Sequence, residues 1–205
     1  VRPPLNLDRK FKRDNLVKYI KKDKEHFRIF PADEMGSNKY SYWNIESIGG
    51  YRPIKLRNYQ DLMDAGGFSR PRVLDMLNVK YVITRKKISN PKFKKVESIK
   101  GLYENQDVLP KSWIVGGIKN VSTQRESLME ILLSGFNPKE SAIVYDYNGP
   151  QISNNSSGEV SITLREENRI ELVSKTDTGG LLVLSEIYYE PGWIAKVNDI
   201  ETPIY

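Results

Sequence analysis

The sequence has no cysteine and only one histidine, His26. Without cysteine the chain can form neither a disulfide nor a thiolate metal site, and it has no cysteine nucleophile. A single histidine in a lysine-rich segment excludes a histidine-rich metal site and gives no support to a Ser-His-Asp triad. We therefore expect no metal, no cofactor and a surface or structural role for His26.

Long hydrophobic runs are also missing. No stretch approaches the roughly 18 to 20 apolar residues that cross a bilayer, and the first residues lack the hydrophobic region of a signal peptide. Four Gly-Gly pairs occur, but none belongs to a GxGxxG motif or a P-loop, so we predict turns at all four. With 205 residues, the chain has room for one large or two small globular domains.

The sequence does contain an excess of positively charged residues. The net charge is +6, and residues 1–30 alone hold ten Lys and Arg against four Asp and Glu. A second excess, from Arg85 to Lys100, has seven basic residues opposed only by Glu97. Such clusters are commonly solvated faces, but they also suit an anionic membrane or polymer. Phe93 is the only aromatic residue in the second cluster, so no stacking surface for bases is visible and we expect no nucleic-acid partner.

Helix and strand patterns alternate up to residue 147. Asp14 is a predicted cap for a helix from about Asn15 to Glu25, and Thr123 with Glu126 forms a capping box for another. A third predicted helix, capped by Ser69, runs directly into a strand. The predicted strands are 27–30, 79–84, 95–99, 101–104, 113–115 and 142–145, and residues 33–60 are predicted to form a long ordered loop.

Residues 148–158 are polar and rich in turn residues, and we predict a linker there. Beyond it, alternating apolar residues predict strands at 160–164 and 170–174. The segment from Leu181 to Tyr205 predicts a hairpin in which 181–189 and 193–197 pair around Glu190–Gly192. The predicted class is therefore α+β: a mixed α/β part at 1–147 and an antiparallel, β-sandwich-like part at 159–205, incomplete at its C-terminal end.

The predicted loop is rich in aromatic residues set among Asn, Ser and Gly. Proteins commonly bind a glycan by stacking a flat aromatic ring against the face of a sugar and placing hydrogen-bonding groups at the edge of that sugar. Alternatively, these aromatics cover the core. The glycan-binding candidates are Tyr42, Trp43, Tyr51 and Arg52, together with Glu186 and Tyr188, whose faces the pattern leaves ambiguous.

Five segments stand out in the order in which they occur. They are Phe27–Pro31, Gly49–Pro53 with Tyr59, LDMLNVKYVIT at 74–84, YENQDVLPKSWIV at 103–115 and LSEIYYEPGWIAKVND at 184–199. In this order they resemble the large soluble region at the carboxyl end of the bacterial YfhO family of multi-pass membrane proteins. The departures from this resemblance are Asn198-Asp199, where an Asp-Gly turn is expected, and a chain that stops before the family's closing strands.

The resemblance implies a fragment of a membrane glycosyltransferase-like protein that uses lipid-linked sugars and decorates cell-envelope glycans such as lipoteichoic acid. It also implies that this domain faces outward from the bacterial membrane and is not catalytic itself, because the proposed catalytic carboxylates of such proteins lie in loops between membrane spans. The domain would then bind glycan or acceptor, or brace the membrane-embedded part of the same protein.

Two other functions remain open. A purely structural or protein-interaction module predicts an exposed apolar patch or an open sheet edge. A free-standing carbohydrate-active enzyme requires two convergent carboxylates in a pocket, and sequence spacing does not identify such a pair.

Overall fold

A computed structural model describes residues 11, 13–51, 53–133, 135–153 and 156–205. The chain contains helices and mostly antiparallel sheets, which confirms the predicted α+β class with a β-rich C-terminal part. Its contacts form two units that alternate along the sequence. Unit 1 comprises the described parts of Val1–Pro53 and Leu77–Val108, and unit 2 comprises those of Ile54–Met76 and Leu109–Tyr205.

The described residues form five α-helices and twelve strands. The helices are α1 Asn15–Ile20, α2 Lys39–Tyr42, α3 Arg57–Asp64, α4 Pro71–Met76 and α5 Gln124–Leu132. The strands are β1 Arg28–Pro31, β2 Val79–Ile83, β3 Phe93–Lys95, β4 Leu102–Asn105, β5 Ser112–Val115, β6 Gly117–Val121, β7 Ser141–Tyr145, β8 Gly158–Arg165, β9 Ile170–Thr176, β10 Leu181–Leu184, β11 Ala195–Val197 and β12 Ile200–Thr202.

Unit 1 is built on a four-stranded sheet with the order β1-β2-β4-β3. β1 and β2 run parallel, whereas β4 pairs antiparallel with both β2 and β3. The outer side of β1 is occupied, because the amide of Ile29 donates to the carbonyl of Glu46 and its carbonyl accepts from Ile48. β3 forms the opposite edge of the sheet.

Helix α1 covers one face of this sheet. The side chain of Asp14 accepts a hydrogen bond from the amide of Val17, which caps the first turn as predicted. Val17 and Ile20 are fully buried in a hydrophobic cluster with Ile29 of β1 and Leu102 of β4. Burial of these apolar side chains is the main force that attaches the helix to the sheet.

Unit 2 contains four two-stranded sheets. β8 and β9 form the predicted antiparallel hairpin, with a turn closed by the amide of Glu166 donating to the carbonyl of Arg169. β6 and β7 are parallel and are connected through helix α5, which gives a short βαβ unit. The two remaining sheets are β10 with β5 and β11 with β12, both antiparallel.

The hairpin predicted for 181–197 is wrong. β10 pairs with β5, so Leu181 lies opposite Val115 rather than opposite a residue of the following strand. β11 pairs instead with β12 across Asn198 and Asp199, whose φ angles of 51° and 65° are those of a type I′ turn. Glu190–Gly192 forms a single 3₁₀ turn. The pattern therefore located the strands but assigned them the wrong partners.

The division into units also differs from the predicted domain bounds. β5 and β10 lie on opposite sides of the predicted linker at 148–158, and their ladder joins both sides into unit 2. Unit 2 further includes Ile54–Met76, which interrupts the sequence of unit 1. The β5–β10 ladder, rather than local composition, therefore places residues from both sides of the predicted linker in unit 2.

Candidate functional site

Helix α2 and the residue that follows it carry two of the predicted glycan-binding side chains. The ring centroid of Tyr42 lies 5.3 Å from that of Phe11 and 5.1 Å from that of Trp43, and the Tyr42 and Trp43 rings meet edge to face. These three rings are called the aromatic cluster below. Tyr42 is 37% exposed, so one ring of the cluster remains open to a ligand.

Hydrogen bonds and packing within the protein fix the position of Trp43. Its indole N–H donates to the carbonyl of Phe11 at 3.0 Å, and its own carbonyl accepts from the Nζ of Lys21, also at 3.0 Å. The side chain is partly buried against the hydrophobic cluster under α1. The guanidinium carbon of Arg13 lies 5.8 Å from the centroid of the indole, within cation–π range. Trp43 thus supports the exposed Tyr42 and contributes to the core.

Tyr51 is the most exposed of the predicted aromatic residues, at 69%. Its backbone is fixed by Asn38, whose side-chain oxygen accepts from the amide of Tyr51 at 2.8 Å. Gly50 precedes it with a φ of 123°, a conformation that favours glycine. Among the described side chains, Tyr51 makes no ring contact with Tyr42 or Trp43. The predicted partner Arg52 lies outside the described residues.

Glu186 and Tyr188 belong to unit 2, whereas the aromatic cluster belongs to unit 1. The Oε1 atom of Glu186 lies 2.8 Å from the Nζ of Lys111 and accepts a longer hydrogen bond of 3.5 Å from Arg165. This carboxylate is therefore engaged by two basic side chains. Tyr188 lies two residues further on and is exposed.

A charged network that the sequence patterns did not reveal lies at the end of α1. Lys80 of β2 contacts Asp23 at 2.6 Å and Glu25 at 2.7 Å, and the hydroxyl of Tyr81 donates to Asp23 at 2.9 Å. Burial alone lowers the pKa of Lys80, but the hydrogen bonds to Asp23 and Glu25 outweigh it and raise that pKa. In the sequence, the one indication of this ion pair is that Lys80 is the only charged residue in the apolar strand β2.

The pKa of Asp23 is lowered, whereas that of Lys80 is raised. Burial alone raises the pKa of Asp23, but hydrogen bonds from Lys80, from the amide of Glu25 and from Tyr81 hold it below its usual value. Burial and the neighbouring Asp23 together raise the pKa of Tyr81. The carboxylate and the ammonium are thus both charged at neutral pH, and the phenol is neutral.

No described part of the chain gathers three or more His, Asp or Glu side chains in an arrangement that could hold a metal ion. Within the same ranges, no helix has both the length and the hydrophobicity needed to cross a bilayer. Comparison of the chain with protein-family models, curated proteins and solved structures gives no match. The resemblance to the YfhO family accordingly stays a prediction.

Proposed function

We propose that this chain is a non-catalytic accessory domain of a bacterial membrane glycosyltransferase-like protein, and that its aromatic cluster binds a cell-envelope glycan of the lipoteichoic-acid type. The domain lies on the extracytoplasmic face and works together with the membrane-embedded part of the same protein. The sequence resemblance supports the protein class. The partial exposure of Tyr42 beside Phe11 and Trp43 is the single observation that carries the binding role.

The aromatic cluster combines the two features that sugar recognition uses. The ring of Tyr42 offers an apolar surface on which the C–H face of a pyranose can stack, and its hydroxyl can meet the polar edge. Arg13 lies over the neighbouring indole and supplies a donor for hydroxyl or phosphate oxygens. Because the indole N–H of Trp43 is hydrogen-bonded to the backbone of Phe11, the aromatic cluster is already ordered before a ligand binds.

Titration of the chain with cell-envelope saccharides and with purified lipoteichoic acid, followed by NMR of the backbone amides and the indole N–H groups, tests this role. We expect the signals of Tyr42 and Trp43 to shift, and we expect Tyr42→Ala to weaken binding about fivefold or more, since stacking on one ring is worth roughly 1 to 3 kcal/mol. Tyr145→Ala, which removes an exposed tyrosine from unit 2, is the matched control. Equal affinities of the wild type and Tyr42→Ala would rule out this site.

A second function is favoured by a different observation. On one face of the β11–β12 hairpin, Val197 lies directly opposite Ile200, and the two side chains are 59% and 71% exposed. Lys196 and Glu201 form the corresponding pair on the other face. An exposed apolar pair on a sheet face is typical of a protein-interaction module, and such a module would brace the membrane-embedded part without binding sugar.

Co-purification of the chain with the membrane-embedded part of the full-length protein, expressed separately, tests the bracing function. Val197→Lys with Ile200→Lys should abolish co-purification because it places two charges in the contact. Lys196→Gln with Glu201→Gln, on the opposite face, should leave it unchanged. If both double variants still co-purify, the hairpin is not the contact surface.

A further inference from the structure

Charge is divided unequally between the two units. The sequence of unit 1 holds 20 Lys and Arg against 10 Asp and Glu, a net charge of +10, whereas that of unit 2 holds 12 against 16, a net charge of −4. The overall charge of +6 therefore conceals one strongly basic unit. Charge concentrated in this way produces a positive potential that attracts anionic surfaces.

The fold of unit 1 brings described parts of the two basic segments, helix α1 and the connection between β3 and β4, to one side of the sheet. Helix α1 contacts the hydrophobic cluster through Val17 and Ile20, and the connection between β3 and β4 packs against the same cluster through Val96 and Ile99. Segments about eighty residues apart in sequence thus share one side of the sheet. Their outward-facing side chains form a common surface.

The register of the sheet places Lys94 on that side as well. Lys94 lies opposite Glu104, and Glu104 in turn lies opposite Tyr81, which belongs to the cluster under α1. Directly paired residues in an antiparallel ladder project from the same face. Lys94 therefore projects from the helix-covered face of the edge strand.

Five lysines are exposed on this side, and they are called the helix-side lysines below. Lys18 lies on α1, Lys22 and Lys24 follow it, and Lys94 and Lys100 lie on β3 and in the connection to β4. Among the ion pairs of the described residues, none involves any of the five.

Most of the acidic side chains nearby are engaged by other basic residues. Lys39 contacts Asp14, Lys80 contacts both Asp23 and Glu25, and Lys95 contacts Glu97. Three lysines therefore oppose these four carboxylates, and Glu104 lies opposite Lys94 in the ladder. The five helix-side lysines outnumber the negative charges that remain, so this side keeps a net positive charge.

We propose that the helix-side lysines bind the surface of an anionic phospholipid bilayer. Lysine is a compact, hydrated charge on a flexible stem and lacks the fork with which arginine grips a single phosphate, so five lysines favour a diffuse array of headgroups. This inference goes beyond the proposed function because it involves no sugar.

Sedimentation of the intact chain with vesicles tests the proposal. We expect binding to vesicles of 30% phosphatidylglycerol in phosphatidylcholine, none to pure phosphatidylcholine, and loss of binding at high salt because the charges are exposed. Each lysine neutralised should weaken partitioning about fivefold. Lys22→Gln with Lys94→Gln should therefore weaken it about 25-fold.

Lys139→Gln with Lys175→Gln provides the matched control, since it removes the same charge from exposed positions of unit 2. This pair should change partitioning less than about twofold if the helix-side lysines form the contact. Equal losses in the two double variants would overturn the proposal, as would equal binding to neutral vesicles. Stronger binding to inorganic polyphosphate than to vesicles at equal phosphate concentration would assign the surface to a soluble polyanion instead.

Discussion

The Nζ of Lys111 lies 2.8 Å from the Oε1 of Glu186, and only 3% of the lysine side chain is exposed to solvent. Two hydrogen bonds from Ser185 to backbone carbonyls hold the surrounding chain in place. The amide of Ser185 donates to the carbonyl of Lys111, and the hydroxyl of Ser185 donates to the carbonyl of Met76. A charge this deeply buried requires its counter-ion, which gives Glu186 a structural role in unit 2.

Glu186→Ala should lower the free energy of unfolding by about 3 kcal/mol, because it leaves the ammonium of Lys111 buried beside Arg165 without this carboxylate. Denaturant unfolding followed by circular dichroism measures the change. Glu167→Ala removes an exposed carboxylate from the β8–β9 turn and should have almost no effect. A loss of less than about 1 kcal/mol for Glu186→Ala would show that the pair is not a major support.

The Asp23–Lys80 pair makes stability depend on pH at the acid end. The pKa of Asp23 is held below its usual value of 3.8, so the stability that it contributes is present above that value and is lost as the pH falls through the lower, folded-state pKa. Asp23→Asn should flatten the dependence of unfolding free energy on pH between about 5 and 2. Urea unfolding at a series of pH values measures the slope.

Lys80 and Tyr81 should make the stability of the protein depend on pH at the alkaline end. Their pKa values are raised, so the stability that they contribute is present below their unfolded values, 10.5 and 10.0, and is lost as the pH rises through the folded ones. Tyr81→Phe removes the hydroxyl and should reduce the alkaline loss. An unchanged profile in both Asp23→Asn and Tyr81→Phe would mean that the network does not govern the pH dependence.

Gly67 is predicted to be intolerant of a side chain. A Cβ at this position would lie 2.6 Å from a methyl carbon of Leu62 and 2.7 Å from its carbonyl oxygen. Gly67→Ala should therefore lower the melting temperature clearly, with a cost of roughly 1 to 3 kcal/mol for the displaced backbone. Gly36→Ala is the matched control, because a Cβ there meets no atom within 4 Å. Equal stability of the two variants would contradict this prediction.

The β11–β12 turn offers a substitution that should stabilise the protein. Asp199 adopts a φ of 65°, which costs an L-residue more than it costs glycine. Asp199→Gly should increase the protection of amides 195–202 from hydrogen exchange severalfold, corresponding to about 0.5 to 1 kcal/mol. Asp199→Ala should decrease it. If alanine and glycine act alike, backbone strain at this position is negligible.

Features that depend on neighbouring residues could be predicted from the sequence. Asp14 and Thr123 cap helices as expected, because a cap requires only a side chain and an amide three residues away. Gly66, with a φ of 75°, likewise follows the end of α3. The helix starting at Asn15 nevertheless ends at Ile20, since lysine-rich residues 21–25 have no apolar stripe to bury.

Features that depend on distant pairing could not be predicted in this way. The sequence of β10 is as suitable for pairing with the next strand in a hairpin as for pairing with β5. Only the complete set of strands determines that β5 is its partner. Strand β6 was not predicted, because Lys119 and Asn120 interrupt its apolar pattern, and its parallel partner β7 lies beyond a helix.

The candidate site shows the same limit. Tyr42 and Tyr51 are exposed, but composition gave no indication that the indole of Trp43 donates to the backbone of Phe11. The counter-ion role of Glu186 also depends on Lys111, which lies 75 positions earlier in the sequence. Sequence patterns identified the residue types and left their partners undetermined.

The alternation of the two units along the chain has a consequence for protein synthesis. A ribosome releases all the residues of unit 1 once Val108 has emerged, whereas Ile54–Met76 emerges before most of the unit to which it belongs. Helix α3 can pack against Gly67 of its own segment at once, but its contacts with α5 form only after residues beyond Leu109 follow. Domains tend to fold in order from the N-terminus during translation, so unit 1 can complete its fold while most of unit 2 is still being synthesised.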